Sequence, residues 1–374
     1  MVFKSNYHDI EIPQNGIFQY VMNNQEGISD NKLIYLDGNT SKGYTFGELK
    51  SGSKRFAAGL RDKVGFKRGD VLGIYSPNQV DYPMVLLGTI AAGGKVTPID
   101  PTYVASELSY QLLDSGASIL IVHPDLLETA IAASKGINNP NFRIFLFGDN
   151  EIRGYKTFCS ELIGEREIEP IFYTPEEANS TIAYICYSSG TTGKQKGVET
   201  THTNLVSNLA QIYKVEKDLG THSVLAGVLA TLLSYVCANL LHPCNFDLYV
   251  KEYDLSSVKT IVSGAAPLGR ELAYKFYELF NIRIKQVYGL TEALAVHYSD
   301  SNNIITGSCG TLLPNLKVKI LSNDGHELGI NEPGELCVHG PSIMKGYHNN
   351  PSATNVAFDN DGFFHTGDIA YVDG

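Results

Sequence analysis

Hydrophobic side chains in the first half of the chain recur at two alternating spacings. In YTFGELKSGSKRFAAGLRDKVGFKRGD, Phe56, Leu60 and Val64 stand at i, i+4 and i+8 before Gly65 interrupts the series. That spacing predicts an amphipathic helix stopped by a glycine. VLGIYSPN then reads as a short buried strand closing in a Pro-Asn turn, and DYPMVLLGTIAAGG as a second helix with a double-glycine C-cap. KVTPIDP, SELSYQLLDSG and SILIVHP continue as strand, helix and strand. Strand and helix recur at βαβ spacing, which predicts a largely parallel sheet covered by helices.

The same grammar resumes at Thr181: TIAYICYSS is a strand, YSSGTTGKQKG a loop, and THTNLVSNLAQIYKV a helix. VKTIVSG leads into the helix of AAPLGRELAYKFYELF, and IKQVYGL leads into TEA, read as a helix start. Each loop therefore lies at a strand end, the edge at which doubly wound sheets bind ligands. From about Ile304 the pattern changes to short strands separated by glycine turns (LKVKILSNDGHELG, GELCVHG, GFFHTGD, IAYVDG). The predicted fold class is α/β: doubly wound subdomains at residues 1–180 and 181–303, then a small β-rich, barrel-like subdomain at 304–374. The closing IAYVDG is a strand plus an Asp-Gly turn signal with no answering strand, as if cut in mid-hairpin.

Composition narrows the function classes. The 374 residues are 43% hydrophobic and 18% charged, enough to bury large cores. Lys and Arg number 29 against 40 Asp and Glu, a formal net charge of −11 without long runs of one sign, so nucleic acid is excluded as an expected partner. Six cysteines are scattered without CxxC pairs, which predicts reduced, mostly buried thiols. MVFKSNYHDIEIPQNG carries neither secretory nor transit character, and an intracellular address is expected. One segment, Val224 to Leu241, runs 18 residues without a charge. Thr231, Ser234, Tyr235 and Asn239 dilute it and no basic cluster flanks it, so a buried core helix is expected there rather than a membrane span.

The loop from Tyr187 to Gly197 holds four serine and threonine hydroxyls, three glycines and two lysines, with no large aliphatic side chain. Uncrowded backbone N–H groups, hydroxyl donors and a lysine cation complement a polyphosphate. The P-loop pattern G-x-x-x-x-G-K-[ST] fits no register of it. Taken alone, the string is also compatible with a solvated glycine turn.

YSSGTTGKQKGV resembles the signature loop of the adenylate-forming superfamily, with Gln195 where proline is usual. Further motifs follow in the family's order: SGAAPLG (Ser263 to Gly269), QVYGLTE (Gln286 to Glu292), GELCVHGPSIMKGY (Gly334 to Tyr347) and HTGD (His365 to Asp368). With GIYSPN, AGGKVTPIDPTY and QLLDSG they span nearly the whole chain, which is most similar to the branch of 4-coumarate–CoA ligases, acyl-CoA synthetases and beetle-type luciferases. The resemblance implies that Ser188, Ser189, Gly190, Thr191, Thr192 and Lys196 hold the β- and γ-phosphates of ATP. It implies an adenine shelf at Gly264, Ala265 and Ala266, with Gln286 and the ring of Tyr288 beside the nucleotide. Thr291 would bond the α-phosphate, Glu292 would hold Mg²⁺, and Asp368 would take the ribose hydroxyls. The implied activity is ATP-dependent joining of a small-molecule carboxylic acid to coenzyme A through an acyl-adenylate, in the cytoplasm or a peroxisome.

The departures from the family pattern are equally specific. Val287 stands where glycine is usual, and Thr203 where arginine is usual. Between Leu205 and Tyr253 the chain is shorter than its relatives, and the missing stretch includes the motif that shapes the acceptor pocket. The family's small C-terminal domain would follow HTGD, and the chain resembles the large N-terminal domain alone. An impaired ligase is therefore expected, with a nucleotide-binding but catalytically dead paralogue or splice product, or an adenylation domain loading a carrier protein, as the alternatives.

Overall fold

The structure is a computed structural model and describes residues 1–24, 27–37, 40–188, 194–216, 258, 260–300 and 303–373. The chain begins with strand β1 (Val2–Lys4), helix α1 (Ile17–Met22), the hairpin strands β2 (Leu33–Leu36) and β3 (Gly43–Thr45), and helix α2 (Phe46–Val64). Next come β4 (Val71–Tyr75), α3 (Tyr82–Ala91), β5 (Lys95–Ile99), α4 (Ala105–Ser115), β6 (Ala117–Val122), α5 (Leu127–Ser134) and β7 (Arg143–Leu146). After α6 (Phe158–Leu162) and α7 (Pro175–Ser180) lie β8 (Ile182–Ser188), β9 (Lys196–Thr201) and α8 (His202–Val215). The remaining strands are β10 (Thr260–Ser263), β11 (Arg283–Leu290), β12 (Leu294–Tyr298), β13 (Thr311–Leu312), β14 (Lys317–Leu321), β15 (Gly334–His339), β16 (Gly346–Tyr347) and β17 (Phe364–Ala370). Among the described residues no helix is long and apolar enough to cross a membrane; the apolar run 224–241, read as a core helix, lies outside them.

By internal contacts the chain forms two compact units, one of Gln14–Val206 with Met344–Pro351, the other of Met1–Pro13, Ser207–Ile343 and Ser352–Gly374. The first is built on a seven-stranded sheet of order β16-β9-β8-β5-β4-β6-β7. Its middle is parallel, as the βαβ spacing predicts, with β5, β4, β6 and β7 in register and β8 joined at Val96–Tyr184. β4 is buried at every position because helices cover both faces. Leu108 and Leu112 of α4 and Leu127, Ala130 and Ala133 of α5 pack on Val71, Tyr75, Leu120 and Val122.

Local chemistry sets the helix ends. The Thr45 hydroxyl accepts from the Glu48 backbone N–H while the Glu48 carboxylate accepts from the Thr45 N–H, a reciprocal cap at the start of α2. Gly65 ends the helix at φ 68°, where a side chain would be strained. Inside α2, a Cβ on Gly59 would stand 1.8 Å from the backbone oxygen of Leu162 at the end of α6. Gly59→Ala is therefore expected to lower stability by about 2–3 kcal/mol, the cost of overpacking, outweighing the roughly 0.5–1 kcal/mol that alanine gains in a helix interior. Urea unfolding would read it, and unchanged stability would mean that α2 and α6 separate freely.

Two local readings are corrected. The loop after β8 does not lead straight into a helix, because Lys196–Thr201 forms β9, antiparallel to β8 from Ile182–Thr201 to Ser188–Lys196. The segment is rich in β-branched residues, and Gly197, Val198, Thr200 and Thr201 are buried, so pairing with β8 wins before the helix begins at His202. Nor does TEA open a helix. It is the turn of a hairpin between β11 and β12, where tertiary pairing overrides the capping preference of Thr and Glu.

The second unit holds two four-stranded sheets, β10-β11-β12-β13 and β1-β14-β15-β17. β10 and β11 are parallel, joined through the helix Arg270–Phe280, and β12 and β13 continue antiparallel. The other sheet is antiparallel throughout, as the glycine-turn pattern predicts. Two features of it escape the sequence pattern: Val2–Lys4 pairs with β14, and β17 runs from Phe364 of GFFHTGD only as far as Ile369 and Ala370 of IAYVDG, the residues Tyr371–Asp373 read as strand lying beyond its end.

Candidate functional site

The hydroxyl- and glycine-rich stretch joins β8 to β9, which pair antiparallel. Of the residues assigned to it, Ser188 ends β8 directly opposite Lys196 at the start of β9, whereas Ser189, Gly190, Thr191 and Thr192 lie outside the described residues. The base of the loop is held by aromatic side chains from other motifs. The Tyr187 hydroxyl donates to Asp114 at 2.6 Å, and Tyr110 donates to the Gln195 carbonyl at 2.9 Å. The Tyr110 and Tyr187 rings meet edge to face, with centroids 6.2 Å apart. Burial, then the bond to Asp114, pushes the Tyr187 phenol well above its usual range, so it remains a donor.

The two lysines of the loop sit over rings of the same unit. The Lys194 ammonium lies 5.5 Å from the Tyr110 ring centre and that of Lys196 4.4 Å from the Tyr347 ring centre. Tyr347 is placed by β16, which pairs with β9 through Gly346–Glu199 and Tyr347–Val198. His348 meets Glu199 at 2.7 Å, and this bond is the main cause holding the Glu199 carboxyl below its usual range. Tyr110, Asp114 and Tyr347 stood in motifs quoted from the sequence without an assigned part. Their convergence on the loop is visible only in the fold.

In the second unit, Ser263 pairs with Gln286, so Gly264, Ala265 and Ala266 leave the carboxyl end of β10 beside the strand that carries Gln286 and Tyr288. Gly264 is buried, Ala265 and Ala266 are exposed. Ala265 adopts φ 66°, a left-handed conformation costing about 1–2 kcal/mol for a residue with a Cβ. Such strain is kept where the surrounding structure requires a turn of that shape. Gln286 is locked by its backbone, its N–H donating to the Ser299 hydroxyl and its carbonyl accepting from the Ser299 N–H and hydroxyl.

Thr291 and Glu292 are the two central residues of a turn closed by the Ala293 N–H donating to the Leu290 carbonyl at 3.1 Å. The turn is pinned from outside as well. The Ser342 hydroxyl donates to the Ala293 carbonyl, and Asn208 bonds both backbone groups of Ala295. Gly289 allows the bulge before the turn, since a Cβ there would stand 2.2 Å from the Leu294 oxygen. Glu292 is buried.

Asp368 stands on a second bulge. One residue of β15 separates Glu335 from Cys337, but three residues of β17 separate their partners Ile369 and His365, so Thr366, Gly367 and Asp368 are pushed out of the ladder. Gly367 takes φ 75° there, and its N–H donates to Glu335. Asp368 accepts the Tyr288 hydroxyl proton at 2.7 Å across 80 residues of chain. Burial, then this bond, raises the Tyr288 phenol far above its usual range, so the ring stays neutral and fixed. The Gly264–Ala266 turn, a held aromatic ring, an exposed carboxylate and a pinned Thr-Glu turn thus belong to one unit.

The model of the family described as AMP-binding enzyme matches residues 24–243 and 229–348. The chain belongs to that family. It is 32% identical to a probable 4-coumarate–CoA ligase 3 of Dictyostelium discoideum, covering 99% of this chain and 77% of the relative. It is 30% identical to the acyl-CoA ligase azaF of Aspergillus niger, covering 98% and 78%. In fold it is similar to the long-chain-fatty-acid–CoA ligase FadD1 of Archaeoglobus fulgidus, with a TM-score of 0.82 at 23% identity over 99% of this chain and 84% of that one. The luciferase-like enzyme of the mealworm Zophobas morio gives 0.81 at 22% identity over 100% and 96%. The Dictyostelium alignment runs over 440 positions although this family member has 374 residues, so the relative carries stretches without a counterpart here. The two matched stretches of the family model overlap at 229–243, inside the segment read as shortened.

Proposed function

We propose that this chain carries the adenylating machinery of an ATP-dependent carboxylic acid:CoA ligase. The observation that carries the reading is the joining of Tyr288 to Asp368 beside the Thr291–Glu292 turn, which supplies the parts a nucleotide requires. In this reading Gly264, Ala265 and Ala266 form the shelf on which the flat base lies, and the Tyr288 ring covers it. Gln286 lines the same strand, and Asp368 accepts the two ribose hydroxyls. The Thr291 hydroxyl donates to the α-phosphate. Ser188, Ser189, Gly190, Thr191, Thr192 and Lys196 hold the β- and γ-phosphates.

Mg²⁺ takes oxygen ligands and is commonly held by one or two carboxylates together with substrate phosphates. Glu292 fits, being a carboxylate oxygen donor on a pinned turn beside Thr291. The ion would supply charge neutralisation on the polyphosphate. The acid's carboxylate oxygen attacks the α-phosphorus, the bond from that phosphorus to the bridging oxygen breaks, and pyrophosphate leaves with the electron pair. The thiolate of coenzyme A then attacks the acyl carbon and AMP leaves. No side-chain nucleophile is required, so the chain acts by positioning and by stabilising charge. The names of the relatives, ligases of 4-coumarate and other acids to coenzyme A, support the substrate class.

The test is ATP·Mg binding by calorimetry on the wild type and Lys196→Ala. Loss of one charged contact to phosphate, about 1.5–3 kcal/mol, is expected to weaken binding roughly 10- to 100-fold. Equal affinity in the two proteins would remove Lys196 from the phosphate site. No binding to either would overturn the nucleotide reading.

A further inference from the structure

Glu335, Cys337 and His365 place one carboxylate oxygen, one sulfur and one imidazole nitrogen within 4.8 Å of one another. His365 Nδ1 is the shared apex, 2.9 Å from Glu335 Oε2 and 3.5 Å from Cys337 Sγ. The arrangement follows from the ladder: Cys337 and His365 are direct partners across β15 and β17, and Glu335 is the same-face neighbour of Cys337 at i−2. A tetrahedral zinc with Zn–S near 2.3 Å and Zn–N near 2.0–2.1 Å separates its sulfur and nitrogen by about 3.5 Å, which is the separation observed here. The oxygen-to-nitrogen edge of such a site is about 3.3 Å, so the Glu335–His365 contact must open slightly. Both side chains are about one-third exposed, and Glu335 can turn on the solvent side about the bond its Oε1 accepts from the Gly367 N–H.

We propose that Glu335, Cys337 and His365 form a binding site for a thiophilic divalent cation of the zinc class, with solvent in the fourth position. The mixed sulfur, nitrogen and oxygen set selects zinc or cobalt over magnesium or calcium, which take oxygen alone. It is distinct from the carboxylate assigned to Mg²⁺, Glu292. Cys337 is fully buried beside Leu321 and Phe363, so the sulfur approaches the ion from the core side and the other two donors from the solvent side. Lys319, the partner of Cys337 across β14 and β15, is already bound to Asp359 at 2.6 Å, which offsets its repulsion. On binding, the Cys337 S–H bond breaks as the sulfur–metal bond forms and its proton passes to solvent. The Nδ1 proton that bonds Glu335 moves to Nε2, leaving the Nδ1 lone pair for the metal. One proton is released per ion.

Cobalt titration of the whole chain tests the site, because thiolate-to-cobalt charge transfer and visible bands of tetrahedral intensity report sulfur ligation directly. One equivalent of Co²⁺ is expected to give both, zinc to displace it, and calorimetry in two buffers to return one proton per ion. Cys337→Ser and His365→Ala should each weaken zinc binding by more than the 10- to 100-fold that loss of an outer-shell partner costs, while Cys309→Ser leaves it unchanged. X-ray absorption on the zinc-loaded wild type gives a readout independent of whether the variants fold, and one sulfur with nitrogen and oxygen neighbours is expected. Absence of the charge-transfer band, its persistence in Cys337→Ser, or a zinc shell without sulfur would each overturn the proposal.

Discussion

Glu292→Gln is expected to lower acid-dependent ATP–pyrophosphate exchange by roughly 100- to 1,000-fold, the range seen when one fixed electrostatic stabiliser of a transition state is removed. Glutamine preserves the size of the side chain, and the turn is held by backbone groups and by Ser342 rather than by the carboxylate alone. Stability should therefore change little while the Mg²⁺ requirement rises, so that the deficit shrinks at high Mg²⁺. Exchange measured across a Mg²⁺ series checks this. A variant with wild-type exchange at low Mg²⁺ would remove Glu292 from the metal site, whereas an equal loss at every Mg²⁺ concentration, with a lowered melting temperature, would make its part structural.

Lys285→Met is expected to destabilise the second unit by about 3–5 kcal/mol. Lys285 Nζ lies 2.5 Å from Glu216 Oε2, with the two side chains only 3% and 4% exposed, and the Tyr298 hydroxyl donates to the same oxygen at 2.8 Å. Removing the lysine leaves a carboxylate charge buried without its counter-ion, and that desolvation penalty dominates the effect. Replacing these three side chains by apolar groups of similar size, Glu216→Leu with Lys285→Met and Tyr298→Phe, should recover most of the loss, since both charges of the ion pair and the hydroxyl bound to it are removed together. Denaturant unfolding of the single and triple variants decides. A single variant within 1 kcal/mol of wild type would mean that water reaches the pair. A triple variant no better than the single would mean that the network holds a geometry which packing alone does not replace.

Much of the first unit is legible in the sequence. α2, β4, α3, β5, α4 and β6 all lie where the hydrophobic spacing places them, with Gly65 and Gly116 in left-handed caps at φ 68° and 69°. These elements are local: a 3.6-residue or continuous apolar pattern and a glycine stop suffice to specify each. The misreadings share one cause. β9 and the β11–β12 hairpin exist because partner strands are present, and neither the six residues of β9 nor the Thr-Glu pair carries a local pattern strong enough to announce it.

The candidate site divides along the same line. Which residue types could meet a nucleotide, hydroxyls and glycines at 188–193, small residues at 264–266, an aromatic at 288 and a carboxylate at 368, was determined by the sequence and its family motifs. The tertiary structure decided how the described ones among them are held. The Tyr288–Asp368 bond spans 80 residues, and the exposure of Asp368 depends on three residues of β17 facing one of β15. The anchoring of the loop by Tyr110, Asp114 and Tyr347, and the meeting of Glu335, Cys337 and His365, likewise come from strand pairing. A chemical capability is a property of residue type and can be read along the chain. A hydrogen bond or a ligand set depends on distances to about an ångström, and those exist only once strands far apart in sequence have been paired in register.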